Sequence, residues 1–203
     1  MKKIVKNCII GILGIATSGV AMLASAAVPL PDGWYLEGNI GSSSIHNATY
    51  VQNGSTSGSG FGWNVNVGYL FMPYFAAEMG YTNYAHTQGK FDGTQVATGT
   101  IYSYYLAGKG VLPLSDSGFE LFAKLGVHRI HSSVLTRNDG FIAANNVTVY
   151  SGTNTHTGVL LGIGAAYAFR PELLGNLQWV RAKGNSRTGD MDLASIGMSY
   201  NFG

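Results

Sequence analysis

Charge is scarce in this sequence: Asp, Glu, Lys and Arg make up 11% of the 203 residues, and Cys8 is the one cysteine. A single thiol excludes a disulfide framework and any paired-cysteine redox centre. Beyond residue 27 no stretch approaches the roughly 18 consecutive apolar residues of a membrane-spanning helix. The five histidines are scattered without ligand spacing, so no metal site is expected and no cofactor motif accompanies them. Gly-Ser-Thr-Ser-Gly-Ser-Gly at 54–60 lacks the Lys-Ser/Thr ending of a phosphate-binding loop and reads as a flexible surface connection.

The basic balance is confined to the beginning of the chain. Lys2, Lys3 and Lys6 precede an apolar run from Ile9 to Leu23, and Ala24-Ser25-Ala26 follows with the small-x-small pattern of a secretory cleavage site. Residues 1–26 are therefore expected to be a cleaved signal peptide, with a cut after Ala27 the alternative. A retained signal anchor is the competing reading, opposed by Gly11, Gly14, Thr17, Ser18 and Gly19 inside the apolar run. Removal takes three of twelve Lys+Arg and none of ten Asp+Glu, so the formal net charge moves from 12 − 10 = +2 to 9 − 10 = −1. A nucleic-acid surface cannot be built on that balance, and none is expected. Cys8 leaves with the signal, which puts a thiol-free chain of one domain, 27–203, into an oxidising compartment.

What is plentiful is glycine, tyrosine and alternation. In Phe-Gly-Trp-Asn-Val-Asn-Val-Gly-Tyr-Leu-Phe at 61–71 the odd positions are all aromatic or aliphatic, and the even ones are mostly small or amide-bearing. Period-two alternation sends the two sets to opposite faces of a strand. The pattern recurs at 33–43, 74–84, 101–112, 119–131, 157–169, 173–182 and 192–202, for eight strands in all. The connections near Met72-Pro73, Leu112 to Gly118 and Arg170-Pro171 are short. Those at 44–60, 85–100, 132–156 and 183–191 are long and rich in Ser, Thr, Asn and Gly. Short turns on one side and long polar loops on the other describe an all-β, eight-stranded, antiparallel up-and-down transmembrane β-barrel. A soluble eight-stranded barrel would need the bulky set inside, where eight strands leave room only for side-chain filling.

Glu78 tests that reading, because it stands inside Tyr-Leu-Phe-Met-Pro-Tyr-Phe-Ala-Ala-Glu-Met-Gly-Tyr at 69–81. Parity turns it inward, and a lumen tolerates charge that is paired. The expected lumen cluster is Glu37, Glu78, Lys109, Glu120 and Lys124, with Glu78 and Lys109 as the central pair.

Asn66–Tyr81, Gly162–Trp179 and Ala194–Gly203, with Gly33–Gly41 before them, carry a family resemblance. The Gly-Tyr-x-x-x-Pro-Tyr turn, the Ala-Tyr-Ala-x-x-Pro-Glu turn and the Gly-x-Ser-Tyr-x-Phe ending stand in order. In these the chain resembles the eight-stranded transmembrane domain of outer membrane protein A and its small relatives. The resemblance implies a cell outer-membrane location, periplasmic termini, and outer-membrane lipids, lipopolysaccharide and the assembly machinery as partners. It also implies that Glu78 and Lys109 match members of a charged lumen constriction interpreted as a gate. Ala166 and Asn176 stand where the two other members would be, so a swap of partners is not available and a static plug is expected. Phe202 is followed by Gly203 with no peptidoglycan-binding module after it, which reads as a stand-alone, monomeric barrel.

His131 and Ser133, two apart on the outward face, are similar to the base and nucleophile of outer-membrane lipid A deacylases. The nearest carboxylates in sequence, Asp190 and Asp192, fall on the last strand, across the barrel, so no catalytic residue is assigned. The expected function is structural: envelope integrity, with contact to host or other ligands through loops 44–60, 85–100, 132–156 and 183–191. A narrow low-conductance channel is the alternative, and a lipid A hydrolase ranks behind both.

Overall fold

The computed structural model describes residues 32–114 and 117–202; the expected signal peptide lies outside them. The elements run β1 (Gly33–His46), β2 (Ser55–Ser57), β3 (Ser59–Met72), β4 (Phe75–Asn83), β5 (Thr87–Phe91), β6 (Thr94–Pro113), β7 (Phe119–Thr136), α1 (Asp139–Ala144), β8 (Gly152–Arg170), β9 (Leu173–Ala182) and β10 (Asp190–Asn201). All eight expected strands form. Two further short ones, β2 and β5, correct the count to ten and lie inside the expected loops 44–60 and 85–100. They form because Ser-Thr-Ser at 55–57 pairs with Gln88 to Lys90, and β5 folds back on the start of β6.

The eight long strands close on themselves. β1 pairs with β3, β3 with β4, β4 with β6, β6 with β7, β7 with β8, β8 with β9, β9 with β10, and β10 with β1, all antiparallel. Closure leaves no unpaired edge in the ring, and in hydrocarbon only such a ring satisfies every strand amide and carbonyl. β6, β7 and β8 hold 20, 18 and 19 residues, against the roughly 9–11 needed to cross a bilayer. Their ends on the long-loop side therefore stand beyond it.

Burial is inverted relative to a soluble barrel. Leu125 is 63% exposed on the outside while Glu37 and Glu78 are 1% exposed inside, which removes the soluble alternative. Two rings of aromatic side chains bound the outer apolar band, as at a membrane–water interface. At the short-turn end Trp34 meets Tyr69 at 5.2 Å, Phe119 meets Tyr167 at 4.7 Å, and Tyr200 meets Phe202 at 5.1 Å. Toward the long loops Trp63 meets Tyr81 at 5.5 Å and Tyr81 meets Tyr104 at 5.2 Å.

The interior changes character along the barrel. Its middle is polar and charged, and below that, toward the short turns, Leu70, Val111, Phe122 and Leu174 point inward. The part under the long loops is apolar: Ile101, Ile130, Val134, Met191 and Leu193 point inward and are closed over by Tyr50, Val51 and Val147 from the connections. A bridge between Val51 and Val149 ties two connections together, and the Tyr150 amide donates to the Tyr50 carbonyl at 2.9 Å. Tyr50 Oη lies 3.3 Å from Ser132 Oγ. Burial pushes this loop phenol above its ordinary value, against the opposing hydrogen bonds to Ser132 and Thr87.

Candidate functional site: the charged lumen

Alternation puts residues 35, 37 and 39 of β1 on the inner face, and Glu37 stands at the register of Asn66 on β3 and Ser199 on β10. From there it reaches across the lumen to the opposite wall. Lys124 Nζ on β7 lies 3.3 Å from Glu37 Oε1 and 2.8 Å from Glu78 Oε1, and Lys109 Nζ on β6 lies 3.3 Å from Glu37 Oε2. Lys109 and Lys124 are direct cross-strand partners, an arrangement of like charges that destabilises a sheet. Glu37 touches both and offsets it.

The carboxylates also accept hydrogen bonds from neutral groups. Asn39 Nδ2 donates to Glu37 Oε1 at 2.9 Å, Asn66 Nδ2 at 3.0 Å and Gln178 Nε2 at 3.2 Å. Tyr35 Oη donates to Glu78 Oε2 at 2.9 Å and Tyr105 Oη donates to Glu78 Oε1 at 2.8 Å. The ammonium of Lys109 lies 4.5 Å from the centre of the Phe122 ring and 5.1 Å from that of Tyr35. Two carboxylates and two ammonium groups thus neutralise one another inside a shell of amides, phenols and an aromatic face. That is the condition under which buried charge is tolerated.

Of the five residues expected in the lumen, the structure brings four into this network and changes one pairing. Glu78 meets Lys124, and Lys109 meets Glu37; Glu78 and Lys109 form no pair. The register explains the correction. Glu78 stands opposite Ala107 and Lys109 opposite Ala76, so the lysine sits one pleat nearer the short turns, and the Tyr35 phenol fills the space beside Glu78. Glu120 remains apart: it stands opposite Ala166 on β8 and forms no ion pair among the described residues. With Lys109 and Asn176 it lines a hollow of about 30 Å³ at the short-turn end, room for a water molecule. Sequence reasoning missed Tyr35, Tyr105, Asn39 and Gln178, which supply half of the hydrogen bonds to the carboxylates; their inward parity was the available signal.

His131 and Ser133 lie on the outer wall of β7, as parity requires. The His131 Nδ1 is 3.3 Å from Thr155 Oγ1, and its ring stacks on Tyr102 at 5.0 Å. Among the described residues no carboxylate orients it. Asp192 is held by Arg181 through 2.7 and 2.6 Å contacts and lies 3.3 Å from His46, and Asp190 is held by Lys183 at 3.0 Å.

The sequence profile of the OmpA-like transmembrane domain matches residues 29–203. No curated protein matches the sequence. Among solved structures the chain is similar to the outer membrane protein OprG of Pseudomonas aeruginosa, with a TM-score of 0.62 and 12% identity over 84% of this chain and 96% of that one. It is similar to Ail, the attachment invasion locus protein of Yersinia pestis, solved with the heparin analogue sucrose octasulfate. There the TM-score is 0.55 at 13% identity, covering 84% of this chain and 99% of that one. The N-terminal β-barrel domain of Pseudomonas aeruginosa OprF gives 0.55 and 13%, covering 85% and 100%. At such identities the likeness is one of fold.

Proposed function

This chain belongs to the OmpA-like transmembrane domain family of Gram-negative outer-membrane β-barrels, and from that premise we propose that it is a non-enzymatic, monomeric barrel with a static plug. Its role is envelope support together with surface contact through the long-loop end. The observation that carries this reading is the double closure of the lumen, by the Glu37–Lys124–Glu78 network below and by the apolar cluster around Tyr50 above. Loops built over a closed barrel are where function can diversify without disturbing the fold. Six cations and four acids lie on that end: Lys90, Arg129, Arg137, Arg181, Lys183 and Arg187 against Asp92, Asp139, Asp190 and Asp192. A sulfated polysaccharide is accordingly the ligand to try first, and heparin is the probe.

Planar-bilayer conductance of the refolded barrel tests the plug. Wild type is expected to be silent, and Glu78→Ala to stay silent because the apolar cap closes the lumen above it. The second reading, a narrow pore, is favoured by the hollow beside Lys109 and Glu120. Discrete current steps in wild type that Glu78→Ala alters would establish that pore instead. For the loops, replacing Lys90, Arg137 and Arg187 together with Gln is expected to abolish retention on immobilised heparin while the barrel stays folded. Retention unchanged by that replacement removes these cations from the binding surface.

A further inference from the structure

The polar middle of the lumen does not balance its own charge. Three carboxylates, Glu37, Glu78 and Glu120, stand there with two ammonium groups, Lys109 and Lys124, so one negative charge is in excess. The two lysines are taken up by Glu37 and Glu78, and the excess falls on Glu120, which is 8% exposed. One row of the sheet runs from Glu120 on β7 through Ala166 on β8 to Asn176 on β9. All three point inward, and Glu120 and Asn176 start roughly 9–10 Å apart at the wall, two strand spacings. The short Ala166 side chain leaves the space between them open. Asn176 is 5% exposed, and neither its side-chain oxygen nor its nitrogen has a hydrogen-bond partner among the described residues. Glu120, Asn176 and Ser199 line the hollow of about 30 Å³.

A carboxylate and an amide withdrawn from water each need a partner, the carboxylate most of all. One small cation answers both, as the charge partner of Glu120 and as the acceptor of the Asn176 carbonyl oxygen. Lys109 borders the same hollow, but its Nζ is committed to Glu37 Oε2 at 3.3 Å and lies 4.5 Å from the centre of the Phe122 ring. The excess charge is one. Among the described residues no three His, Cys, Asp or Glu side chains gather around a point, so a divalent ion, held by many oxygens and several carboxylates, has no cage. The volume leaves room for a small ion with a water or two. We propose that the hollow is a binding site for a monovalent cation of sodium size. The Glu120 carboxylate neutralises it, and Asn176 Oδ1 and Ser199 Oγ are its neutral oxygen donors. The ion ties β7 to β9 and β10 and leaves the lumen closed. The site goes beyond the plug and is independent of what the loops bind.

The refolded barrel, in uncharged detergent micelles at neutral pH, is unfolded by urea in sodium chloride or in choline chloride of equal concentration, choline being too bulky for the hollow. A ligand that binds only the folded state raises stability with the logarithm of its concentration. The wild-type midpoint is expected to climb with sodium beyond its change in choline. Glu120→Gln is expected to abolish that difference and Asn176→Leu to reduce it. Asn176→Lys, which tethers an ammonium beside Glu120, is expected to abolish it while keeping the midpoint at or above that of wild type in sodium. Sodium-23 relaxation is expected to be faster with wild type than with Glu120→Gln. A wild-type midpoint that is the same in the two salts overturns the site; Glu120→Gln at least as stable as wild type would then mark a protonated carboxyl in place of the ion. A sodium dependence that Glu120→Gln leaves unchanged overturns it as well. The comparison of salts needs no variant, and the cold-versus-boiled gel shift confirms that each variant is folded. Bilayer conductance is followed separately; current through wild type strikes the plug and not this site.

Discussion

Lys124 has no solvent-exposed side-chain surface and contacts two carboxylates, whereas Lys109 keeps 12% of its side chain exposed and contacts one. Removing one partner of a buried pair costs about 3–5 kcal/mol because the other charge is left uncompensated. Lys124→Met is therefore expected to lower the urea unfolding free energy by about 3 kcal/mol or more, and Lys109→Met by clearly less. Adding Glu78→Gln to Lys124→Met is expected to restore part of the loss; equal losses in the two single variants would sink the network as drawn. Glycine matters at several places in this shell: a Cβ would collide with Tyr35 at Gly68, with Asn66 and Tyr105 at Gly80, and with Phe122 at Gly164. A Cβ on Gly197 would collide with Asn39 Oδ1 and the Gly38 carbonyl, while one on Gly110 meets nothing within 4 Å. Gly197→Ala is expected to cost about 1–3 kcal/mol and Gly110→Ala close to nothing, by the same urea titration. That Glu78 faces inward was legible from period two alone. Its partner was not, because which lysine it meets depends on a one-pleat offset and on contacts reaching across the lumen from β1, and neither leaves a mark in local sequence.

At the scale of elements, β6, β7 and β8 run past the bilayer and enclose the apolar cluster that holds Tyr50. The sequence pattern showed every long strand but cut β6, β7 and β8 short on the long-loop side. Ile101, Ile130, Val134, Met191 and Leu193 sit just inside or beyond the expected ends, where inward positions stop being small and polar and the alternation loses its contrast. Tyr50-Val51, Val147 and Val149 are short apolar islands among Ser, Thr and Asn, and only the fold shows that they converge. A connection anchored this way is expected to resist protease. Truncating a buried aromatic costs about 3–5 kcal/mol where a cavity is left, and here the loss falls on the cap and not on the ring of strands. Tyr50→Ala is expected to open the 47–54 connection to limited proteolysis while the cold-versus-boiled gel shift stays as in wild type. Cleavage that is equally fast in wild type would show that the cap does not hold the connection.

For the whole molecule, the closed ring with its inverted burial makes sense only if the outer band meets hydrocarbon, and depth along one strand measures this. The outward residues of β7 run from Leu121 through Leu125 and Val127 to Arg129, and then to Leu135 above the upper aromatic ring. All of these leucines and the valine are exposed. An arginine on the lipid face costs about 2–4 kcal/mol at the midplane and about 0–1 near the interface. Leu125→Arg is therefore expected to lower the unfolding free energy in bilayers by about 2–4 kcal/mol, and Leu135→Arg by less than about 1 kcal/mol. The native Arg129 should fall on the low side of the step between them. Measured in lipids with longer acyl chains, the step should move toward the loops, since a thicker hydrocarbon layer reaches further up the same strand. A flat profile along β7, indifferent to chain length, would mean that this wall does not face lipid, and the reading of the molecule as a membrane barrel would fall with it.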